Sequence, residues 1–465
     1  MNLKSIAFLT AIPLFLAGCD FDWDYKDSST ASTPTVTSAE LLDPTIAAGN
    51  KFGSLTVILA NSNIVVTSPL DSSVASNNGA VHLYNPFTKT VVASFYGDTG
   101  NDKLGDSSIT ALGNNNFVIA SYLDNVGGVV DAGSVMLING ATGAQIGSTF
   151  AGNAANDYLG RSSITALTNN NFVIASAYDD AGHTNNGSVM LVSGTSGAQI
   201  GSTLAGNTGG DSLGFSAITA LTNNNFVIAS ELVDVGIAVD TGSVMLVSGA
   251  TGAQIGSTLV GNATNDLLGA SGITALTNNN FVIASPFDDV GVSDAGSVML
   301  VNGATGALIG TIVGDTASDQ LGYSFITALT NNNFVIASEN DNVGGITDAG
   351  SVMLINGATG AQIGSTLAGD TASDKLGFTG VVKLNNNHFV VASRYDNLDS
   401  VTDAGSIRQI DTTGSQVKLI AGTTTDDMIT VGISTTSAAN FYVVRLLNFD
   451  KSSYANSGFA TVVAY

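Results

Sequence analysis

Cysteine is all but missing from this chain: Cys19 is the only one in 465 residues, so no intrachain disulfide can staple the fold. Histidine occurs three times, at His82, His183 and His388, in segments that read as a strand, a loop and a turn, too scattered for one shared metal or acid–base site. Basic side chains are scarce, 13 against 37 acidic ones for a net charge of −24, which sets the chain against nucleic acid and anionic surfaces as direct partners. Charged residues make up only 11% of the chain and proline appears six times beside 54 glycines, a balance that argues for strands and tight turns over long charged helices. No P-loop, nucleophile elbow or Cys/His metal spacing occurs, so catalysis is not expected.

The N-terminal residues 1–19, MNLKSIAFLTAIPLFLAGC, carry one positive charge at Lys4 and an apolar run ending in Leu16-Ala17-Gly18-Cys19. The run is the length of a secretory signal and too short to span a bilayer. It resembles a bacterial lipoprotein signal, which implies that Cys19 becomes the lipidated first residue of the mature chain and holds it at a membrane. Residues 20–38, rich in Asp, Ser and Thr, read as a flexible tether. The folded part is expected over 39–465.

That part is a repeat. ITALTNNNFVIAS occurs verbatim at 164–176, 218–230, 273–285 and 326–338, and a Leu-Gly precedes each copy, ending at Gly160, Gly214, Gly269 and Gly322. Further Leu-Gly copies end at Gly105 and Gly377, and divergent units at 51–69 and 426–444 bring the expected total to eight. Within a unit, four apolar runs of strand length alternate with turn signals. Four strands in a repeat of this length is the content of a β-propeller blade. The expected fold is therefore all-β, an eight-bladed β-propeller of four-stranded antiparallel blades. Since the last unit stops after its third strand, Leu41–Ala48 is expected to pair with Phe459–Tyr465 and close the ring.

The units resemble the FG-GAP repeats of integrin α-subunit propellers and bacterial surface proteins. Phe52-Gly53 is literally the FG, Ala284-Ser285-Pro286 stands at the GAP position, and Gly79-Ala80-Val81-His82-Leu83-Tyr84 matches the strand that follows. The resemblance implies adhesion or ligand binding. It also implies a calcium loop between the first two strands, but here that connection is only Thr-Asn-Asn-Asn, too short to wrap a cation with six to eight oxygens.

Tight turns on one face of the units and long loops on the other place the binding surface on the long-loop face. A distinct partner needs residues that differ between units, and the positions after Leu-Gly and Ala-Ser do so. Tyr122, Arg161, Phe215, Tyr323, Phe378 and Arg394 are the candidate anchors, aromatic and arginine types that dominate interfaces. The acidic pairs Asp179-Asp180 and Asp288-Asp289 are candidate Ca2+ ligands that need help from a neighbouring unit, whereas Asp294, Asp348 and Asp403 read as turn caps. The expected function is that of a lipid-anchored, non-catalytic cell-envelope module that binds a protein or glycan. The alternative is a periplasmic scaffold similar to the propeller lipoprotein of the outer-membrane barrel assembly machinery, whose tryptophan-rich repeats are missing here. A polysaccharide-active enzyme is a more distant third.

Overall fold

The computed structural model describes residues 40–422 except 163, 379, 385, 386, 399 and 400, together with the strands Ile429–Thr430, Phe441–Leu446 and Phe459–Ala464. Cys19 and the tether lie outside the described residues. Among the described residues the chain forms seven consecutive four-stranded antiparallel sheets and a three-stranded eighth, each in simple sequence order. We call the strands of a unit a to d; in the fifth unit they are Ile273–Ala275, Phe281–Ser285, Ser297–Val301 and Leu308–Val313.

Burial follows strand position. Strand b, Phe-Val-Ile-Ala-Ser in the third to sixth units, is buried at all five residues, because units cover both of its faces. Strand d, as in Gln199–Ala205, is mostly exposed and presents Gln199, Ser202 and Thr203 to solvent, polar types suited to an outer edge. The core is accordingly not within a sheet but between sheets. Val118, Ala120, Val135 and Leu137 of the second unit pack against Phe172, Ile174 and Val192 of the third, and the same cluster recurs at the following junctions. Each buried Phe is worth about 1.5–3 kcal/mol relative to exposure, so no single unit is stable alone.

The repeated asparagines do more than turn the chain. In Asn169-Asn170-Asn171 the middle residue takes the left-handed φ of 67°, which Asn tolerates better than most side chains. The Oδ1 of Asn169 accepts the Asn171 N–H, and the side-chain amides of both outer asparagines donate to the Gly249 carbonyl of the unit ahead, each at 2.9 Å. The pattern repeats from Asn223 and Asn225 to Gly303, and from Asn278 and Asn280 to Gly357. Glycine is required at the receiving end, since a Cβ on Gly249 would lie 1.8 Å from the Asn224 carbonyl oxygen. In the first to fifth units the a–b turn is thus a staple to the unit ahead.

The expected closing strand is not formed. Residues 41–48 contain no strand, and among the described residues Phe459–Ala464 pairs only with Phe441–Leu446; Tyr465 lies outside them. The physical reason is local. Asp43 accepts from Thr45 N at 2.9 Å and Thr45 Oγ1 at 3.0 Å, a turn around Pro44, which has no N–H to offer a ladder. Asn50 then ties Asp43 and Thr45 to Asp71, and the Tyr84 hydroxyl donates to Leu42 O at 2.6 Å, so the segment docks on the first unit.

Candidate functional site

The staples crowd the short-turn face and leave the long-loop face as the variable one. There the d–a loop, Gly-(Asp/Asn)-(Thr/Ala)-x-x-Asp, meets the following b–c loop. The second acid of the motif is buried and caps its own loop: Asp157 Oδ2 accepts the N–H groups of Asn153 and Ala154, both at 2.7 Å. The Ser that ends strand b donates to the carbonyl of that same aspartate, as Ser176 does to Asp157 O at 2.8 Å. An acid from the b–c loop then joins it: Asp124, Asp179, Asp288, Asp341 or Asp396, according to the unit. In three units the acids Asp98/Asp102/Asp124, Asp315/Asp319/Asp341 and Asp370/Asp374/Asp396 each keep oxygens within 4.8 Å of one another. Cavities of about 180 Å³ and 280 Å³ open onto the second and first of these sets respectively at Asp315, Asp319 and Asp341 and at Asp98 and Asp124.

Electrostatics at these junctions are unfavourable to charge. Burial pushes the Asp341 carboxyl up to about 6, reinforced by Asp319 and Asp315 and opposed by Ser351. Burial likewise raises Asp124 and Asp179, with the neighbouring aspartates adding to it. In the seventh unit the fold supplies the missing counter-charge, Arg408 Nη2 lying 2.9 Å from Asp396 Oδ2. The position of Arg408 on strand c is Met in the second to sixth units and His82 in the first.

The acidic pairs proposed from sequence are not used as pairs. Asp179 turns in to the junction and accepts from the Ser188 hydroxyl, while the exposed Asp180 turns outward and accepts the Asn185 N–H at 2.7 Å. Asp288 is buried and accepts from Ser297 Oγ at 2.5 Å, whereas Asp289 accepts the Asp294 N–H at 2.8 Å. Consecutive residues in an extended segment point to opposite sides, so neighbours in sequence separate in space. The partner of each inward acid comes instead from the d–a loop, as Asp157 and Asp266, which sequence reasoning did not single out. Asp294, Asp348 and Asp403 all take left-handed φ values of 50–51°.

Three of the six candidate anchors come together. Tyr122, Tyr158, Tyr178 and Phe215 form a run of edge or tilted ring contacts with centroids 6.3, 5.8 and 6.4 Å apart, crossing three units. The Arg161 guanidinium lies 5.3 Å from the Tyr158 centroid and 5.0 Å from that of Tyr178. Phe215 is 46% exposed, so it does not serve as interior packing. A cavity of about 240 Å³ is lined by Arg161, Ser162, Tyr178 and Phe215. Tyr158 and Tyr178 were missed; their signal was present, since Tyr158 precedes Leu-Gly and Tyr178 follows the Ala-Ser-Ala run, both at positions that vary between units. The remaining anchors form separate spots. Tyr323 meets Phe287 at 6.1 Å, and Phe378 meets Tyr395, with Arg394 over the latter at 5.6 Å.

A family model described as "Repeat of unknown function (DUF5650)" matches residues 111–160, 166–212, 220–270, 275–323 and 328–377, together more than half of the chain. No curated protein matches the sequence. Among solved structures the chain is similar to "The crystal structure of BamB from Moraxella catarrhalis", at 12% identity and a TM-score of 0.38 over 88% of this chain and 96% of that one. It is also similar to a chain of "Crystal Structure of Mitotic Checkpoint Complex", at 13% identity and a TM-score of 0.36 over 73% of this chain and 83% of that one. The fold assignment rests on the chain's own sheets.

Proposed function

This chain belongs to the family of the repeat of unknown function (DUF5650), and from that premise we propose that it is a non-catalytic binding protein of the bacterial envelope, anchored through lipidated Cys19. Its units are blades of an FG-GAP-like propeller, eight in number, whose ring closes through the last, three-stranded unit. The binding surface is the long-loop face, and the partner is a protein.

The observation that carries this reading is the ladder of Tyr122, Tyr158, Tyr178 and Phe215 with Arg161 laid across it. Rigid aromatic rings and a guanidinium are the side chains that supply most of the energy of protein interfaces, and here they are contributed by three different units. Its charge supports the same conclusion. Arg161 is one of only 13 basic residues, held by rings in an acidic surface, where it can pair with a partner's carboxylate.

The test is capture from envelope extracts with the full chain, comparing wild type with Arg161→Ala plus Tyr178→Ala, alongside a glycan array. A protein retained by wild type and lost from the variant supports the reading. Identical partner sets overturn the ladder as the binding site, and glycan binding without a protein partner overturns the partner class. Protease treatment of intact cells separates a surface module, which is cleaved, from the periplasmic scaffold.

A further inference from the structure

At two junctions the fold buries an oxygen of the d–a-loop aspartate that it does not use. Asp157 and Asp266 are each 1% exposed, and their Oδ1 atoms are buried without a hydrogen-bond partner. In the fourth, sixth and seventh units a b–c-loop N–H, from Asp234, Asn342 or Asn397, donates to the corresponding oxygen, and a second difference lies three residues earlier. In the second, fourth, sixth and seventh units a threonine hydroxyl, from Thr99, Thr208, Thr316 or Thr371, donates to the corresponding Oδ1. In the third and fifth units that position is Ala154 and Ala263. The b–c loop adds Asp179, whose Oδ1 is also buried and bare, to the first junction, and Asp288, only 2% exposed, to the second. Neither pair of acids makes an ion pair among the described residues.

Two neighbouring carboxylates without a counter-charge are costly to bury. The seventh unit shows what the site accepts, because there the Arg408 guanidinium, which takes the place of Met190 and Met299, contacts Asp396. A positive charge fits this junction, and in the third and fifth units no described residue provides one. We propose that these two junctions each bind a hard divalent cation of calcium type, one between Asp157 and Asp179 and one between Asp266 and Asp288.

The donor set suits that ion. It is all oxygen, with Asn153 or Asn262 beside the two acids; the Asn262 amide already reaches Asp288 Oδ1 at 3.2 Å, and rotating it would offer its oxygen. Calcium–oxygen distances of about 2.4 Å let one ion bridge oxygens up to about 4.8 Å apart, the spacing kept by the acids at the same junction of the second, sixth and seventh units. Calcium tolerates the irregular, flexible ligand cages that loops make, whereas magnesium demands a near-ideal octahedron. An ion here would clamp the d–a loop to the b–c loop. The site in the third unit adjoins the aromatic ladder, since Asp157 and Asp179 neighbour Tyr158 and Tyr178 in the chain, but its ligands are the carboxylates and its existence does not depend on what the rings bind.

Calcium uptake by the purified, chelator-stripped full chain tests this, by isothermal titration and by metal analysis after dialysis, with magnesium as the competing ion. Two double variants fill the junctions from within. Ala154→Thr plus Ala263→Thr supplies the hydroxyls of the other units, and Met190→Arg plus Met299→Arg supplies the guanidinium. The parent takes up calcium in the presence of tenfold magnesium and melts at a higher temperature with it. Each double variant takes up two fewer ions per chain while melting in chelator no lower than the parent. No uptake by the parent, or uptake by both variants equal to the parent's, overturns the sites; displacement by magnesium overturns the calcium assignment.

Discussion

The paired asparagine staple can be removed without touching the core. In the fourth unit Asn223→Ala plus Asn225→Ala deletes the two bonds to Gly303 O, both 2.9 Å, and the 3.1 Å bond from Asn225 N to Asn223 Oδ1. At about 0.5–1.5 kcal/mol net for each bond, the expected cost is about 3 kcal/mol. Asn224→Gly separates turn from staple, because a residue at φ 69° is better suited by glycine, so the backbone change costs close to nothing and only the Thr168 hydroxyl contact is lost. Asn224→Ala, forced into the same conformation, should cost about 1–2 kcal/mol. Urea unfolding followed by circular dichroism reads these as shifts in midpoint at constant slope. The order expected is double variant most damaged, Asn224→Ala intermediate and Asn224→Gly least. A double variant within 0.5 kcal/mol of wild type would refute the idea that the asparagines hold units together.

Phe226→Ala should destabilise by about 3–5 kcal/mol, since the ring is 1% exposed between the third and fourth units, measurable as a large fall in urea midpoint. Arg408→Met strands the fully buried Asp396 and should cost about 3–5 kcal/mol; adding Asp396→Asn should recover most of it, and no recovery would mean the arginine acts through packing alone. Asp341 has a folded pKa raised to about 6 from 3.8, so its protonated form favours the fold: the contribution is complete below about pH 3.8 and is lost as pH rises through about 6. Its partial exposure to solvent trims this to about 1 kcal/mol. The difference in melting temperature between wild type and Asp341→Asn should therefore change across that window and level off above it.

Much of the fold was legible because the sequence repeats itself. Four strands per unit, their order and the division between tight turns and long loops all follow from apolar runs and turn residues that recur every 53 to 55 positions. Strand b reads as buried on both faces because it has no polar alternate residue, and this is local information. The second role of the asparagines was not legible: the Gly249 carbonyl that Asn169 and Asn171 share lies some 80 residues ahead, and nothing in TNNN names it. The same limit separated Asp179 from Asp180 and joined it to Asp157, and it turned Leu41–Ala48 away from the last unit toward Asp71 and Tyr84. Variation between units did mark Tyr122, Arg161 and Phe215, but not that they adjoin, nor that Tyr158 and Tyr178 bridge them. Periodicity determines what one unit is, since turns and pleats are set by near neighbours. Which atoms of adjoining units meet depends on how blades pack against one another, and that only the tertiary structure decided.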